Sequence, residues 1–458
     1  MRQTPQLLQC LRNRVFARLY FAQTINLIGD ALTWVGLALL AFELAGKDAG
    51  VILSGALTLR VAAFVLLSPL AGAIADRCDR KRIMVVTHLA RMGIVCLLPF
   101  VTQAWQIYTI VFALNVFYAF FTPTYTATIP LVTGKAEYPQ AIALSSATFQ
   151  LLGVLGPGLA GGVAAFIGGR QVFFLDALTF LIATILVVTL PGRLRVDQNQ
   201  QSVRTVNRTL QDIKEGTARL FLDAPIRYAL AMQLVASVTG AQILVNTVGY
   251  VQGTLNLGKV EYGWVMAAFG IGATLASVAF GSFNQRLDRT GFIAIGATLI
   301  TVALLPANFA SFASLLLLWL VAGTGQSFVN LPTQTLIADL IPKALQGRVY
   351  GAHFAWSHLW WAFSYPLAGW LGSHFSQASF LYGSLIGGGL LILIQIVLLP
   401  QLQQLQTSNQ SYSHELLQEP IWHEHKHIHD QHHQHEHSDG IPVNEQHSHI
   451  HLHNGSHL

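Results

Sequence analysis

Charged residues are scarce in this chain of 458 residues: they make up 10% of it, whereas 53% is hydrophobic. A typical soluble domain carries about 25% charged residues, so the chain has too few charges for a water-facing surface. This shortage excludes a soluble enzyme, a disordered scaffold and a nucleic-acid-binding protein. The sequence also lacks a P-loop and any pattern of covalent catalysis, so we expect neither enzymatic activity nor ATP-driven pumping.

Cysteine is almost absent as well. Cys10, Cys78 and Cys96 match neither a disulfide framework nor a CxxC metal site, and we interpret them as small apolar fillers. The first 18 residues are polar and basic, without the apolar core and cleavage site of a signal peptide. The first apolar run is therefore expected to persist as a helix.

Long apolar runs are what the chain has in abundance. A helix needs about 20 apolar residues to cross a bilayer, and twelve such runs can be placed. The predicted spans are 19–43, 51–75, 83–101, 105–129, 140–167, 171–190, 227–250, 261–284, 291–307, 311–337, 349–372 and 378–399. With the N-terminus in the cytoplasm, 21 of the 26 Lys and Arg residues fall on the cytoplasmic side and three on the other. This bias favours a multi-pass protein of the plasma (inner) membrane with both termini in the cytoplasm.

The two halves of the apolar region repeat each other with a constant offset of 209 residues. With this offset Gly72 aligns with Gly281, and Asp79 aligns with Asp288. We predict an all-α membrane protein whose twelve transmembrane helices form two pseudo-symmetric six-helix bundles with a substrate cavity between them. The predicted domains are an N-terminal six-helix bundle at 1–190, a cytoplasmic central loop at 191–226, a C-terminal six-helix bundle at 227–400 and a cytoplasmic His-rich tail at 401–458.

A glycine- and charge-bearing segment joins the second and third predicted spans. It reads Gly72-Ala-Ile-Ala-Asp76-Arg77-Cys-Asp79-Arg80-Lys-Arg. The segment resembles the major facilitator signature G-x-x-x-D-R-x-G-R-R, with Asp79 in place of the second glycine. We predict a cytoplasmic gate in which Gly72 allows close helix approach and Asp76 pairs with a cation. Arg77 and Arg80 belong to its basic cluster, and the alternative is a plain positive-inside loop.

The fifth predicted span contains the run Gly153-x-x-Gly156-Pro157-Gly158-x-x-Gly161-Gly162. It resembles the G-P-x-x-G-G motif of facilitator exporters, with the second glycine pair displaced by one residue. The resemblance favours export. The alternative interpretation is that these are generic packing glycines.

Few charged side chains lie at membrane depth, where each costs about 2.5–3.5 kcal/mol on insertion scales. Asp30 lies in the middle of the first span, and Asn26 precedes it by one helical turn. We predict Asp30 as the proton or cation site, with Asn26, Arg60 and Arg91 as further transport or coupling residues. The alternative is a structural pair of Asp30 with Arg60 or Arg91.

Three other polar residues in the spans have a simpler interpretation. Asp176, near the outer end of the sixth span, is expected to be structural. His353 and His358 are five residues apart, about 140° around a helix, so they are poorly placed to bind one ion. Because Trp residues surround them, we interpret them as packing or interface residues.

The composition changes abruptly after Pro400, where 14 of the 18 His residues lie in residues 414–458. The tail has no Cys and no apolar run that could form a core, so we expect it to be disordered. Imidazole suits Ni²⁺, Cu²⁺ and Zn²⁺, and alternate His residues on a flexible chain can converge on one ion. The predicted ligands are His423, His425, His427, His429, His432, His433, His435, His437, His447, His449, His451 and His453.

Residues 11–400 resemble one branch of the major facilitator superfamily, which includes the enterobactin exporter and bacterial metal-resistance permeases. The resemblance rests on Gly29-Asp30, the Gly72–Arg77 segment, Phe173-Phe-Leu-Asp176 and Gly347-Arg-Val-Tyr-Gly351. With the His-rich C-terminus, the chain resembles nickel-resistance permeases of the NreB/NrsD type. This resemblance implies proton-driven efflux of Ni²⁺, or of Co²⁺ or Zn²⁺, without a cofactor for transport.

Two alternatives stay open on the sequence alone. One is a facilitator that exports a siderophore, a drug or a metal chelate, with a regulatory tail. A large cavity with aromatic walls and few fixed charges would favour it. The other is a membrane-anchored metal sensor or storage protein that transports nothing. For the exporter we expect a monomer whose partners are the metal ion, protons and the lipid bilayer.

Overall fold

A computed structural model describes residues 6–192, 206–283, 288–418, 421–427 and 447–453. Its contacts divide the chain into two compact units, Met1–Gln395 and Ile396–Leu458. The helices are α1 Arg14–Ala45, α2 Ala49–Arg77, α3 Arg80–Val95, α4 Ala104–Ile167, α5 Val172–Val188, α6 Val206–Leu222, α7 Ala224–Gly249, α8 Lys259–Phe283, α9 Arg289–Leu304, α10 Phe312–Leu340, α11 Lys343–His374 and α12 Ser379–Gln418.

Each predicted span coincides with one of these helices or with part of α4. Within the described part of the chain, eight helices are long and apolar enough to cross a membrane. The count becomes nine if a bent pair within α4 is taken as one span, and α5 is a shorter apolar helix. The predicted class, an α-helical membrane protein of the two-bundle type, is confirmed.

Helix α4 runs for 64 residues but is broken at Gly134, which adopts φ +72° and ψ 176°. A residue with a side chain is strained at such a positive φ, whereas glycine is not. The break separates a first arm, residues 104–133, from a second arm, residues 135–167. These arms correspond to the fourth and fifth predicted spans.

The sequence repeat has a close structural counterpart at the start of α3 and α9. Asp79 caps α3, where its carboxylate accepts a hydrogen bond of 3.0 Å from the Lys81 backbone N–H. Asp288 caps α9 in the same way, at 3.2 Å from the Thr290 backbone N–H. Both helices then end in a short 3-10 turn, at Leu98–Phe100 and Ala307–Phe309. The offset of 209 residues therefore relates equivalent elements of structure.

The basic residue that follows each cap also repeats. Arg80 donates from Nη1 to the backbone carbonyl of Ala127 at 2.5 Å. Arg289 donates in the equivalent place to the carbonyl of Thr335 at 3.3 Å, and it forms an ion pair with Asp339. Each arginine thus ties the start of one helix to a neighbouring helix of its own half.

The halves pack against each other mainly along two helix pairs: α2 with α11, and α4 with α8. In the second pair, the backbones meet at glycines. A Cβ added to Gly161 would lie 2.7 Å from the Gly263 carbonyl oxygen, and one added to Gly158 would lie 2.8 Å from the Gly270 Cα. Any larger residue there would force the halves apart.

The central segment contains more structure than the predicted loop. Helix α6, Val206–Leu222, precedes α7, and Glu215 on it forms an ion pair with Arg348 on α11. Gly216 allows this approach, since a Cβ there would lie 2.4 Å from the Arg348 carbonyl oxygen. The domain boundaries drawn from the sequence stay a prediction.

Three segments of the tail are among the described residues. Helix α12 continues to Gln418, because the residues after Pro400 are rich in the helix formers Gln and Leu. Strands β1 Ile421–His427 and β2 His447–His453 pair antiparallel. The register places His423 opposite His451, His425 opposite His449 and His427 opposite His447. Strict alternation of His with other residues has the two-residue period of a strand.

Candidate transport cavity

A cavity of about 300 Å³ lies between the two halves of the first unit. Apolar residues from both halves dominate its wall, several of them aromatic, and polar groups are few. The aromatic lining residues are Trp34, Tyr118, Phe149, Tyr262, Phe269, Trp361 and Tyr365. The polar lining residues are Asp30, Arg60, Gln326 and Asn330. Such a wall offers ring faces and two opposite charges to a solute.

Asp30, the predicted coupling carboxylate, forms an ion pair with Arg91 of α3. Arg91 also donates from Nη1 to the Asn26 side-chain oxygen at 3.2 Å. The Arg91 side chain is 4% exposed and that of Asp30 is 20% exposed, so only the carboxylate is open to the cavity. The structure thus brings three of the four predicted coupling residues into contact.

Two aromatic rings complete the surroundings of Arg91. Its guanidinium carbon lies 4.4 Å from the Phe180 ring centre and 5.1 Å from that of Tyr118. Arg91 Nε and the Asn26 side-chain nitrogen have no hydrogen-bond partner among the described residues. A buried polar group without a partner is costly, and because both atoms are donors, this cluster can donate hydrogen bonds to a water molecule.

Asp176 lies beside this cluster rather than apart from it. Its carboxylate accepts hydrogen bonds from the Thr33 hydroxyl at 2.5 Å and the Thr179 hydroxyl at 3.0 Å. Together with Asp30 and Arg91 it lines a small side cavity of about 20 Å³. Two carboxylates therefore share the neighbourhood of one buried guanidinium, an arrangement that the expected structural role of Asp176 does not describe.

Arg60, the fourth predicted residue, does not pair with Asp30. Its guanidinium carbon lies 4.8 Å above the Trp34 ring centre, a cation–π contact. Among the described residues it forms no ion pair. It lines the main cavity and two adjoining ones, so its charge is open to a solute in the cavity.

A second cavity, of about 210 Å³, adjoins the first on the side of the C-terminal half. It contains both His353 and His358, which the sequence interpretation assigned to packing. His353 Nε2 lies 2.8 Å from the Gln233 side-chain oxygen. His358 Nδ1 lies 2.8 Å from the Phe354 carbonyl oxygen. The spacing of these residues along the helix did not show that both would line one cavity.

The predicted gate is only partly described. Gly72, Asp76 and Arg77 lie in the last turns of α2, but their side chains are outside the described part of the structure. Arg80 is described and makes the backbone contact to Ala127 given above. The gating roles stay predictions.

Only some of the predicted metal ligands are among the described residues. His423, His425, His427, His447, His449, His451 and His453 lie on the paired strands. His429, His432, His433, His435 and His437 lie outside the described residues. Among the residues whose side chains are described, no group of three or more His, Cys, Asp or Glu side chains could hold a metal ion.

The aromatic and amide side chains of the cavity were missed by sequence reasoning, which searched the spans for charge. Gln233, Gln326, Asn330 and Gln334 each line the cavity of about 300 Å³, the cavity of about 210 Å³, or both. These amide residues could have been recognised from the sequence, because burying an amide in an apolar helix is costly unless it faces a partner or a cavity. The aromatic residues gave no such signal, since the spans carry many of them.

Two repeated helical halves around a central cavity define a secondary transporter of the major facilitator type. The nucleoside transporter NupG has a similar fold: it superimposes with a TM-score of 0.64, covering 84% of this chain and 99% of NupG at 15% identity.

A family model described as transmembrane secretion effector matches residues 6–429, and the chain belongs to that major facilitator family. The chain is 27% identical to the multidrug efflux pump Tap of Mycolicibacterium fortuitum, over 83% of this chain and 94% of Tap. It is 26% identical to the uncharacterized transporter YfiS of Bacillus subtilis, over 72% of this chain and 80% of YfiS. The protein is thus a multi-pass membrane transporter and not an enzyme.

Proposed function

We propose that the protein exports a divalent metal ion, with Ni²⁺ as the first candidate and Co²⁺ or Zn²⁺ as alternatives. Transport proceeds by proton-coupled alternating access in the plasma membrane, with both termini in the cytoplasm and the chain acting as a monomer. The cell gains resistance to the metal. This proposal includes the likeness to nickel-resistance permeases that the sequence suggests.

The observation that carries the proposal is the tail. Its His residues alternate along the chain, and three His pairs face each other in the β1–β2 register. Imidazole nitrogen is a preferred ligand for Ni²⁺. A tail that concentrates cytosolic metal raises the effective concentration for the transporter to which it is tethered.

Proton coupling is supported by the Asp30 cluster. Alternating access needs a group that exchanges a proton between the two states, and a carboxylate beside a buried guanidinium changes its partner when it is protonated. Asp30 meets both requirements, because it is paired with Arg91 and partly open to the cavity.

The test is metal uptake into inside-out membrane vesicles under an imposed pH gradient. Radioactive Ni²⁺, Co²⁺ and Zn²⁺ are compared for the full chain and for a truncation after Gln406. Vesicles without the protein are the control. Gradient-dependent accumulation by both forms supports an antiporter with an accessory tail. Accumulation of none of the ions rejects the proposal.

A second candidate, export of an amphipathic organic solute, is favoured by the cavity. Seven aromatic residues line it, and the relative named Tap is a multidrug efflux pump. The same vesicles distinguish the candidates: accumulation of a cationic dye on energisation, unaffected by Ni²⁺, supports the organic substrate.

A further inference from the structure

Arg60 is a charge at membrane depth that the described part of the protein does not neutralise. Asp30 is already paired with Arg91, and Asp176 accepts from two threonine hydroxyls. Among the described residues, Arg60 has no ion-pair partner and lies against the face of Trp34. The guanidinium fork binds a carboxylate with two parallel hydrogen bonds, and an intramembrane charge of this kind indicates a substrate pathway.

His358 offers the complementary group. Its Nδ1 lies 2.8 Å from the Phe354 carbonyl oxygen, and because that oxygen only accepts, Nδ1 carries the hydrogen. The neutral ring then has its lone pair on Nε2, which has no partner among the described residues. A histidine held by a backbone carbonyl in this way is the usual form of a metal ligand.

In His353, by contrast, both ring nitrogens have a polar neighbour. Its Nε2 contacts Gln233, and its Nδ1 lies 3.5 Å from the Gln334 side-chain nitrogen. Arg60 and His358 line the same cavity of about 210 Å³, together with four amide side chains. A bare dication at His358 would meet the positive charge of Arg60, whereas a metal bound to a carboxylate ligand would satisfy both groups.

We infer that the metal crosses the cavity as a complex with a carboxylate-bearing organic ligand, held by Arg60 at a carboxylate and by His358 Nε2 at the metal. This inference rests on the proposed function and names the form of its substrate. The aromatic wall of the main cavity then contacts the organic part of the complex.

The experiment uses the purified full chain in proteoliposomes under a pH gradient, with ⁶³Ni²⁺ and ¹⁴C-citrate as the two labels. We expect both labels to accumulate together, and each to depend on the other. Arg60→Gln should lower both rates at least tenfold, with partial recovery in Arg60→Lys. His358→Gln should lower both rates as well.

His374→Gln is the matched control, since His374 lies on the same helix but lines neither of these cavities. The melting temperature of every variant separates loss of binding from loss of fold. Nickel accumulation without citrate, at a rate unchanged in Arg60→Gln, would overturn the inference and leave nickel export intact. Citrate accumulation without nickel would overturn both, and so would accumulation of neither label.

Discussion

The pair of Asp30 and Arg91 admits two roles, and single substitutions do not separate them. If the pair is structural, each residue serves to neutralise the other. If Asp30 couples transport to protons, its carboxyl is needed even when Arg91 is gone. Removing one partner of a buried pair leaves an uncompensated charge, which costs about 3–5 kcal/mol.

Asp30→Asn is therefore expected to lower the melting temperature and to abolish transport, because Arg91 remains charged. In the double variant Asp30→Asn, Arg91→Met both charges of this pair are removed. We expect the melting temperature to recover and proton-driven transport to stay absent. The measurements are thermal unfolding in detergent and pH-gradient-driven uptake in vesicles.

A control for this prediction is Arg91→Met alone, which leaves Asp30 without its cation and should unfold earlier than the double variant. Recovery of transport in the double variant would show that Asp30 has only a structural role. In that case the search for the coupling group moves to Asp176, which lines the same side cavity.

At the scale of elements, the contact between α4 and α8 depends on backbone proximity at glycines. Gly161→Ala places a Cβ 2.7 Å from the Gly263 carbonyl oxygen. Overpacking of this kind costs about 1–3 kcal/mol. Because it acts on the state in which the halves touch here, we expect it to shift the conformational equilibrium and slow transport several-fold.

The matched control is Gly162→Ala, one residue along the same helix, where a Cβ meets nothing within 4 Å. Both substitutions change helix propensity equally, so the difference between them isolates the contact with α8. Equal transport rates in the two variants would remove the α4–α8 glycine contact from the mechanism.

The repeated helix caps give a second test at this scale. Asp79→Ala and Asp288→Ala each remove a side-chain acceptor for a backbone N–H of the first helical turn. Loss of an N-cap costs about 1 kcal/mol. Similar falls in melting temperature are expected in the two variants, and a fall in only one of them would contradict equivalence of the two halves.

The helix positions were predictable because each span needs an apolar run of sufficient length and because the Lys and Arg residues lie mainly on one side of the membrane. The internal repeat supplied an independent check. Helix α6 was missed because its apolar face is narrow, and hydropathy detects only runs that are apolar all round. The pairing of Arg91 rather than Arg60 with Asp30 depends on how α1 and α3 pack. That packing is a tertiary property that a single sequence does not contain.

At the scale of the whole molecule, the chain combines two regions of opposite charge. Residues 1–400 carry 25 Lys and Arg against 14 acids, whereas residues 401–458 carry one Lys and seven acids. The first distribution orients a membrane protein. The acidic excess of the tail attracts cations, and its His residues can coordinate them. We therefore expect the tail to have a role separable from that of the transport unit.

This separation predicts how bound nickel depends on pH and on the tail. Binding requires neutral imidazole, so protons compete with the metal, and affinity falls as pH drops through about 6.5. By equilibrium dialysis at pH 7.5, the full chain should bind several Ni²⁺ ions and the truncation after Gln406 far fewer. At pH 5.5 the difference should largely vanish.

Uptake by the truncation should be reduced at low nickel concentration and approach that of the full chain at high concentration, because a tethered tail only raises the local concentration of its ligand. Equal nickel binding by both forms at pH 7.5, or a pH-independent difference, would contradict a histidine-based metal-collecting tail.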